Sequence, residues 1–190
     1  VPTLSQFETS VRSFGATAER IDLLEDTGPN KVSLSTGTST FRGAALLSVR
    51  STADQYSMTG DSRLTINFAN GNMNGGVTNL IGVNQVGRRV DVTGGVTYTD
   101  GDIGTGDNRG LFLVEYNGDL TAGSDQIAME GIAVGQFEGN RTAGDIRMKA
   151  LQATSGTSGS ITVNEGLPVT MIATMNGNFA VADFAFVGEN

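Results

Sequence analysis

An alternating apolar and polar run that meets Asn-Gly, followed by another such run, recurs along this chain. Leu64 to Ala69 leads into Asn70-Gly71 and then Asn72 to Thr78. Leu111 to Tyr116 leads into Asn117-Gly118, and Val169 to Met175 into Asn176-Gly177 and Asn178 to Val181. Asn-Gly is a strong hairpin signal, because a type I′ turn needs positive φ at both central residues. The pattern predicts a mainly β chain: one antiparallel up-and-down barrel of about eight or more strands.

Strands are expected over 38–50, 54–60, 62–69, 73–82, 87–99, 109–117, 127–138, 144–152, 159–163, 168–175 and 178–187. Some of these merge or split at glycines. Gly94-Gly95 inside one run predicts a bulge or a barrel corner. The longest loop is expected at 99–110, and residues 154–160 read as a second, polar one. Leu64, Ile66 and Phe68 alternate with Thr65 and Asn67, Val90 and Val92 with Asp91 and Thr93, and Ile146 and Met148 with charged neighbours. One face is apolar and the other charged, as in a sheet folded over its own core. Phe41, Phe68, Tyr98, Phe112, Phe137, Phe179, Phe184 and Phe186 read as core filling.

Residues 3–25 follow another period. Leu4, Phe7, Val11, Phe14, Ala18, Ile21 and Leu24 recur at three and four, the stripe of an amphipathic helix. Thr3 or Ser5 caps it, with Gln6 or Glu8 three residues on. Gly15 weakens it, and Thr27-Gly28-Pro29-Asn30 ends it. The division expected is an N-terminal helix and linker at 1–30 and a barrel at 31–190. The helix packs on the barrel, for example as a plug in an open end.

Composition excludes more than it specifies. The chain has 190 residues, a single-domain length, and 27 glycines against 3 prolines, which fits a turn-rich β protein. Its net charge of −8 repels phosphate backbones and anionic lipid, so no nucleic-acid partner is expected. There is no Cys, His or Trp. The missing imidazole and thiol remove the usual general base, the usual nucleophile and the usual transition-metal ligands. No cofactor is expected. No apolar run approaches the roughly 20 residues of a membrane helix. Aromatic girdles are missing too, so membrane insertion as a barrel is not expected either. The start at Val1-Pro2-Thr3 reads as a processed or trimmed end.

No catalytic, cofactor or metal residue is assigned. Asp100, Asp102, Asp107 and Asn108 offer oxygen ligands, but their spacing is not that of a calcium loop, and solvated aspartates are the expectation. Glu115, Glu130 and Glu138 sit on expected strands as outward charges rather than a glycosidase pair. Gly104-Thr105-Gly106 lacks the Lys and βα context of a phosphate loop. Arg88-Arg89 reads as a solvated edge or a rim ion pair.

Three segments carry a family resemblance. Gly37 to Ala45, with Phe41-Arg42-Gly43, is similar to an opening strand in which an aromatic precedes x-Gly. Leu64 to Phe68 followed by Asn70 to Gly75 is similar to an "apolar-x-apolar-x-Phe, turn, x-x-x-Gly" hairpin. Gly135-Gln136-Phe137-Glu138-Gly139 and Gly177-Asn178-Phe179 are similar to "Gly-x-Phe" strands. Together they resemble the transferrin-binding-protein-B-like β-barrels found on exported proteins of Gram-negative bacteria. The resemblance spans about 37–187. It implies an eight-stranded soluble barrel that binds proteins or haem through loops and handle regions rather than by catalysis. The closing Gly-aromatic-Gly repeat is blurred here into Phe179 to Phe184. No handle region is present, so no transferrin ligand and no binding residues are carried over.

The expectation is therefore a non-enzymatic, exported barrel that binds a protein partner at a bacterial surface or in the periplasm. The alternative is a structural subunit of an extracellular filament, surface layer or virus-like particle, associating through an edge strand or a free terminus. The helix at 3–25 and the strand at 178–187 are the segments considered for that exchange.

Overall fold

The computed structural model describes residues 3–28, 37–108, 110–139, 150–157 and 171–190. One helix, α1 (Leu4–Asp22), precedes β1 (Thr38–Arg50), β2 (Gln55–Asn67), β3 (Met73–Asn84), β4 (Arg89–Ile103), β5 (Leu111–Ala122) and β6 (Asp125–Glu138). The remaining strands are β7 (Ala150–Gly156), β8 (Met171–Met175), β9 (Asn178–Phe179) and β10 (Val181–Glu189). The sheet runs β5-β4-β3-β2-β1-β10-β7-β6, and an antiparallel β5–β6 pairing closes it into a ring.

The ring has eight staves, although ten strands are described. β7 pairs with Val134–Glu138 and β8 with Ile127–Gly131, so the two are successive halves of one stave along β6. Residues 158–170, between them in the chain, lie outside the described residues. β9 and β10 likewise line up, β9 against β8 and β10 against β7. The expected mainly β, up-and-down antiparallel barrel with one N-terminal helix is the observed fold.

Local chemistry accounts for most of the boundaries. Asn176 and Gly177 have φ of 52° and 78°, the left-handed pair a two-residue hairpin turn requires. At Asn70-Gly71 the positive φ falls on Gly71 alone, within a wider turn from Phe68 to Asn72. Asn117-Gly118 is not a turn. β5 runs straight through it and turns at Gly123-Ser124. Gly118 is there for space: a Cβ would stand 3.0 Å from Met129 Cγ and 3.1 Å from Val96 Cγ2. The expected strands 54–60 and 62–69 are one strand, β2, whose pairing with β3 shifts register between Thr59 and Asp61. β4 extends to Ile103, which shortens the expected 99–110 loop to the stretch after it. Residues 154–156, expected in a loop, belong to β7.

Gly94-Gly95 sits at an irregularity, as expected. Pairing with β5 continues through both residues, but on the other side the register with β3 shifts between Val77 and Ile81, where Val92 to Gly95 face one residue fewer. Gly94 has φ of 90°.

Inward side chains fill the ring. At one end Phe137 stacks on Phe112, Phe68 and Phe41 at ring-centroid distances of 4.8, 5.9 and 6.3 Å. In the middle, Tyr98–Phe186, Phe186–Phe184 and Phe184–Tyr116 form a ladder at 4.9, 5.7 and 5.0 Å. The phenols inside are satisfied: Tyr116 donates to Ser155 at 2.9 Å, and Tyr98 and Ser62 share a bond of 3.0 Å. An eight-stranded barrel is narrow enough for side chains alone to fill. Leu64 and Ile66 are buried as expected, while Phe68, Val90 and Val92 are partly buried around the core. Ile146 and Met148 lie outside the described residues. So do the expected strand at 159–163 and parts of those at 144–152 and 168–175.

The helix starts as its sequence indicates. The Thr3 hydroxyl accepts from the Gln6 N–H at 3.2 Å, and the Gln6 side chain accepts in turn from the Thr3 N–H. It ends at Asp22, before Thr27-Gly28, because the chain leaves it to run against β6. Nor does α1 plug an end. It lies on the outer wall, with Ile21 buried against Ala150 and Val187 and flanked by Phe14, Ala18 and Leu24. Ser10 bonds Thr59 at 3.1 Å, and Arg20 makes a forked ion pair with Glu189. None of the described helices is long and apolar enough to cross a membrane.

Candidate functional site

Alternation along β6 places Phe137 inside and Glu138 outside, where a carboxylate would normally meet water. Glu138 is instead 3% exposed. The stretch after α1 covers it like an added strand. The Thr27 N–H donates to Phe137 O at 3.0 Å, and the Gly139 N–H to Glu25 O at 2.8 Å. The Thr27 hydroxyl donates to Gly139 O at 2.8 Å. Asp26 then stands directly opposite Glu138 in an antiparallel bridge.

A buried carboxyl thus faces an exposed one across the bridge. Burial pushes the Glu138 carboxyl up to about 7, and the charge of Asp26 pushes the same way. A hydrogen bond of 3.2 Å from Gln152 Nε2 opposes them, and Asp22 adds a weaker like charge. Glu138 can hold a proton near neutral pH. It has no nucleophile beside it among its described partners, so its chemistry is that of a proton-dependent clasp between the α1 arm and the barrel.

The clasp has a signed pH dependence. The folded-state pKa of about 7 lies above the ordinary 4.5, so the folded protein holds the extra proton between those values. The stabilisation is fully present below about pH 4.5 and is lost as pH rises through 7. Wild type should therefore lose Tm between pH 5 and pH 8. Glu138→Gln, which keeps a donor for Asp26, should flatten that fall. Thermal unfolding of both proteins across this range checks it, and equal slopes would show that Glu138 is not the titrating group.

At the opposite end Tyr56 OH donates to Asp125 Oδ2, and Asn176 Nδ2 donates to Asp125 Oδ1 at 2.8 Å. These bonds hold the Asp125 carboxyl below its usual range, and burial first, then Asp125, pushes the Tyr56 phenol up. Three hairpins are tied together there.

The residues singled out in the sequence are mostly dispersed on the outer wall. Asp100 and Asp102 are exposed on β4, and Asp107 and Asn108 lie in a short 3-10 turn. Among the described residues no group of three or more acidic side chains is placed to hold a metal ion. Glu115 and Glu130 are exposed on β5 and β6; Glu115 stands opposite Asp100 across the β4–β5 pairing, both in water, and of the three glutamates only Glu138 is buried beside a second carboxyl, that of Asp26. Arg88 is exposed, and Arg89 forms the rim ion pair with Asp91. Phe179 is not core: it is 68% exposed, and Ile172 on the paired strand is 58% exposed. Sequence reasoning missed Asp26 as a partner, since 112 residues separate it from Glu138 and neither carries a motif. No family model, curated protein or solved structure matches this chain.

Proposed function

We propose that this protein is a non-enzymatic, exported barrel module that recognises a protein partner through its outer surface. The observation that carries this reading is the filled interior: aromatic rings at one end and in the middle, with buried aliphatic side chains around them, occupy the ring and leave its outside for recognition. Ile172 and Phe179, exposed large apolar side chains on the paired strands β8 and β9, are the contact element of this reading. The resemblance to transferrin-binding-protein-B-like barrels, with its Gram-negative cell-surface or periplasmic setting, supports the same reading. The absence of His and Cys removes the commonest catalytic side chains. The acidic outer wall argues against nucleic acid and anionic membrane as partners.

The structural-subunit reading draws on the same apolar pair, as a contact between copies. Strand exchange through β10 does not favour it, because β10 is paired on both sides, with β1 and β7. Sedimentation and light scattering separate the readings. The module should remain a monomer or small oligomer, while a filament subunit should form polydisperse polymers. Captured with immobilised wild type and with an Ile172→Ser, Phe179→Ser double variant in parallel, a genuine partner should be lost from the variant. Retention of every captured protein by the variant would remove this surface from the account.

A further inference from the structure

The inner half of α1 packs tightly, but its N-terminal half does not. Ile21 is fully buried against the wall, whereas Phe7 and Val11 remain half-buried above it. Beneath them lies a groove of about 770 Å³. That size falls within the range of about 300–1,000 Å³ typical of small-molecule sites.

The strand register explains the groove. Asp183 stands opposite Ser48, Ser48 opposite Ser57, and Ser57 opposite Val83, so one outward row crosses β10, β1, β2 and β3. Small side chains in that row form a channel floor. Ala185 and Leu46, opposite each other in the next row, make one apolar bank. The channel ends at Asp183, whose carboxylate lies over Gly156, 2.8 Å from where a Cβ there would stand. Among the described residues, Asp183 is the one charged side chain that lines the groove.

We propose that this groove binds a single-chain amphiphile whose head donates hydrogen bonds, an alkyl amine or an acyl polyol. The chain lies beneath Phe7 and Val11, and the head meets the Asp183 carboxylate and the Ser48 hydroxyl beside it. A carboxylate-headed chain would meet a like charge in a protein of net charge −8. The described lining of the groove includes neither Ile172 nor Phe179, so the proposal goes beyond the partner-binding reading, and neither depends on the other.

The test uses the full chain with labelled methyl groups, titrated below micelle concentrations with dodecylamine, glycerol monolaurate and laurate. Saturable shifts are expected at the Val11, Leu46 and Val83 methyls, with laurate at least about tenfold weaker than the better of the other two. Ala185→Trp, which fills the groove, should abolish binding. Should that variant fail to fold by circular dichroism, Ser48→Leu serves the same purpose. Asp183→Asn separates the two head groups: it should weaken the amine about tenfold and leave the glycerol ester within about threefold. No saturation, shifts centred on Ile172 and Met171, equal binding of laurate, or unchanged binding by a folded groove-filling variant would each overturn the proposal. None of these results would bear on partner capture through Ile172 and Phe179.

Discussion

Phe137→Ala is expected to destabilise the protein by about 3–5 kcal/mol, the usual cost of removing a buried phenylalanine. Its ring is fully buried and touches three others, Phe41, Phe68 and Phe112, so one truncation opens a void under the whole cluster. The three neighbouring rings, on β1, just after β2 and on β5, cannot collapse into it without moving the staves. Phe68→Ala should cost less, since Phe68 is only partly buried at the edge of that cluster. Thermal or denaturant unfolding of the two variants side by side measures the difference. A Phe137→Ala protein as stable as wild type would mean that this end of the barrel is not packed as described.

Gly94→Val is expected to be as severe, at about 4 kcal/mol, and to reduce the yield of folded protein. A side chain at φ of 90° is strained, and its Cβ would fall 2.0 Å from Asp119 O. That oxygen belongs to the paired strand, so relief requires β4 and β5 to part. Gly123→Ala is the control. It also has positive φ, at 64°, but its Cβ would meet only the Val90 Cγ1 at 3.4 Å, so its cost should stay near that of backbone strain alone, about 1–2 kcal/mol. Equal costs at the two positions would show that close strand approach is not what demands Gly94.

The period-two pattern and the helical stripe were legible because each is local, and β1 and α1 begin where their residues indicate. What depends on distant partners was not legible. Gly118 looked like half of a turn because glycine serves equally for a tight turn and for room beneath a neighbour, and only Met129 and Val96 decide between them. Phe179 looked like core because alternation cannot tell the inside of a two-residue strand from its outside. The split of the seventh stave is invisible in composition, as is the closure of β5 on β6. The clasp at Glu138 arises where the chain after α1 returns to β6, which no spacing announces. The groove under Phe7 and Val11 likewise depends on Ser48, Ser57 and Asp183 coming into line on three strands.

The central claim is that the ring is closed and filled, so that recognition belongs to its exterior and not to an unpaired strand. Native-state hydrogen exchange tests this most directly, because a strand available for exchange between copies opens well below the global unfolding free energy. The account predicts that amides along the β1–β10 and β5–β6 seams exchange only through global unfolding, at the level of the β1–β2 hairpin. Early exchange confined to β10 and the facing edge of β1 would contradict it: the barrel would then be a sheet that opens at that seam, and the polymerising subunit would become the better reading.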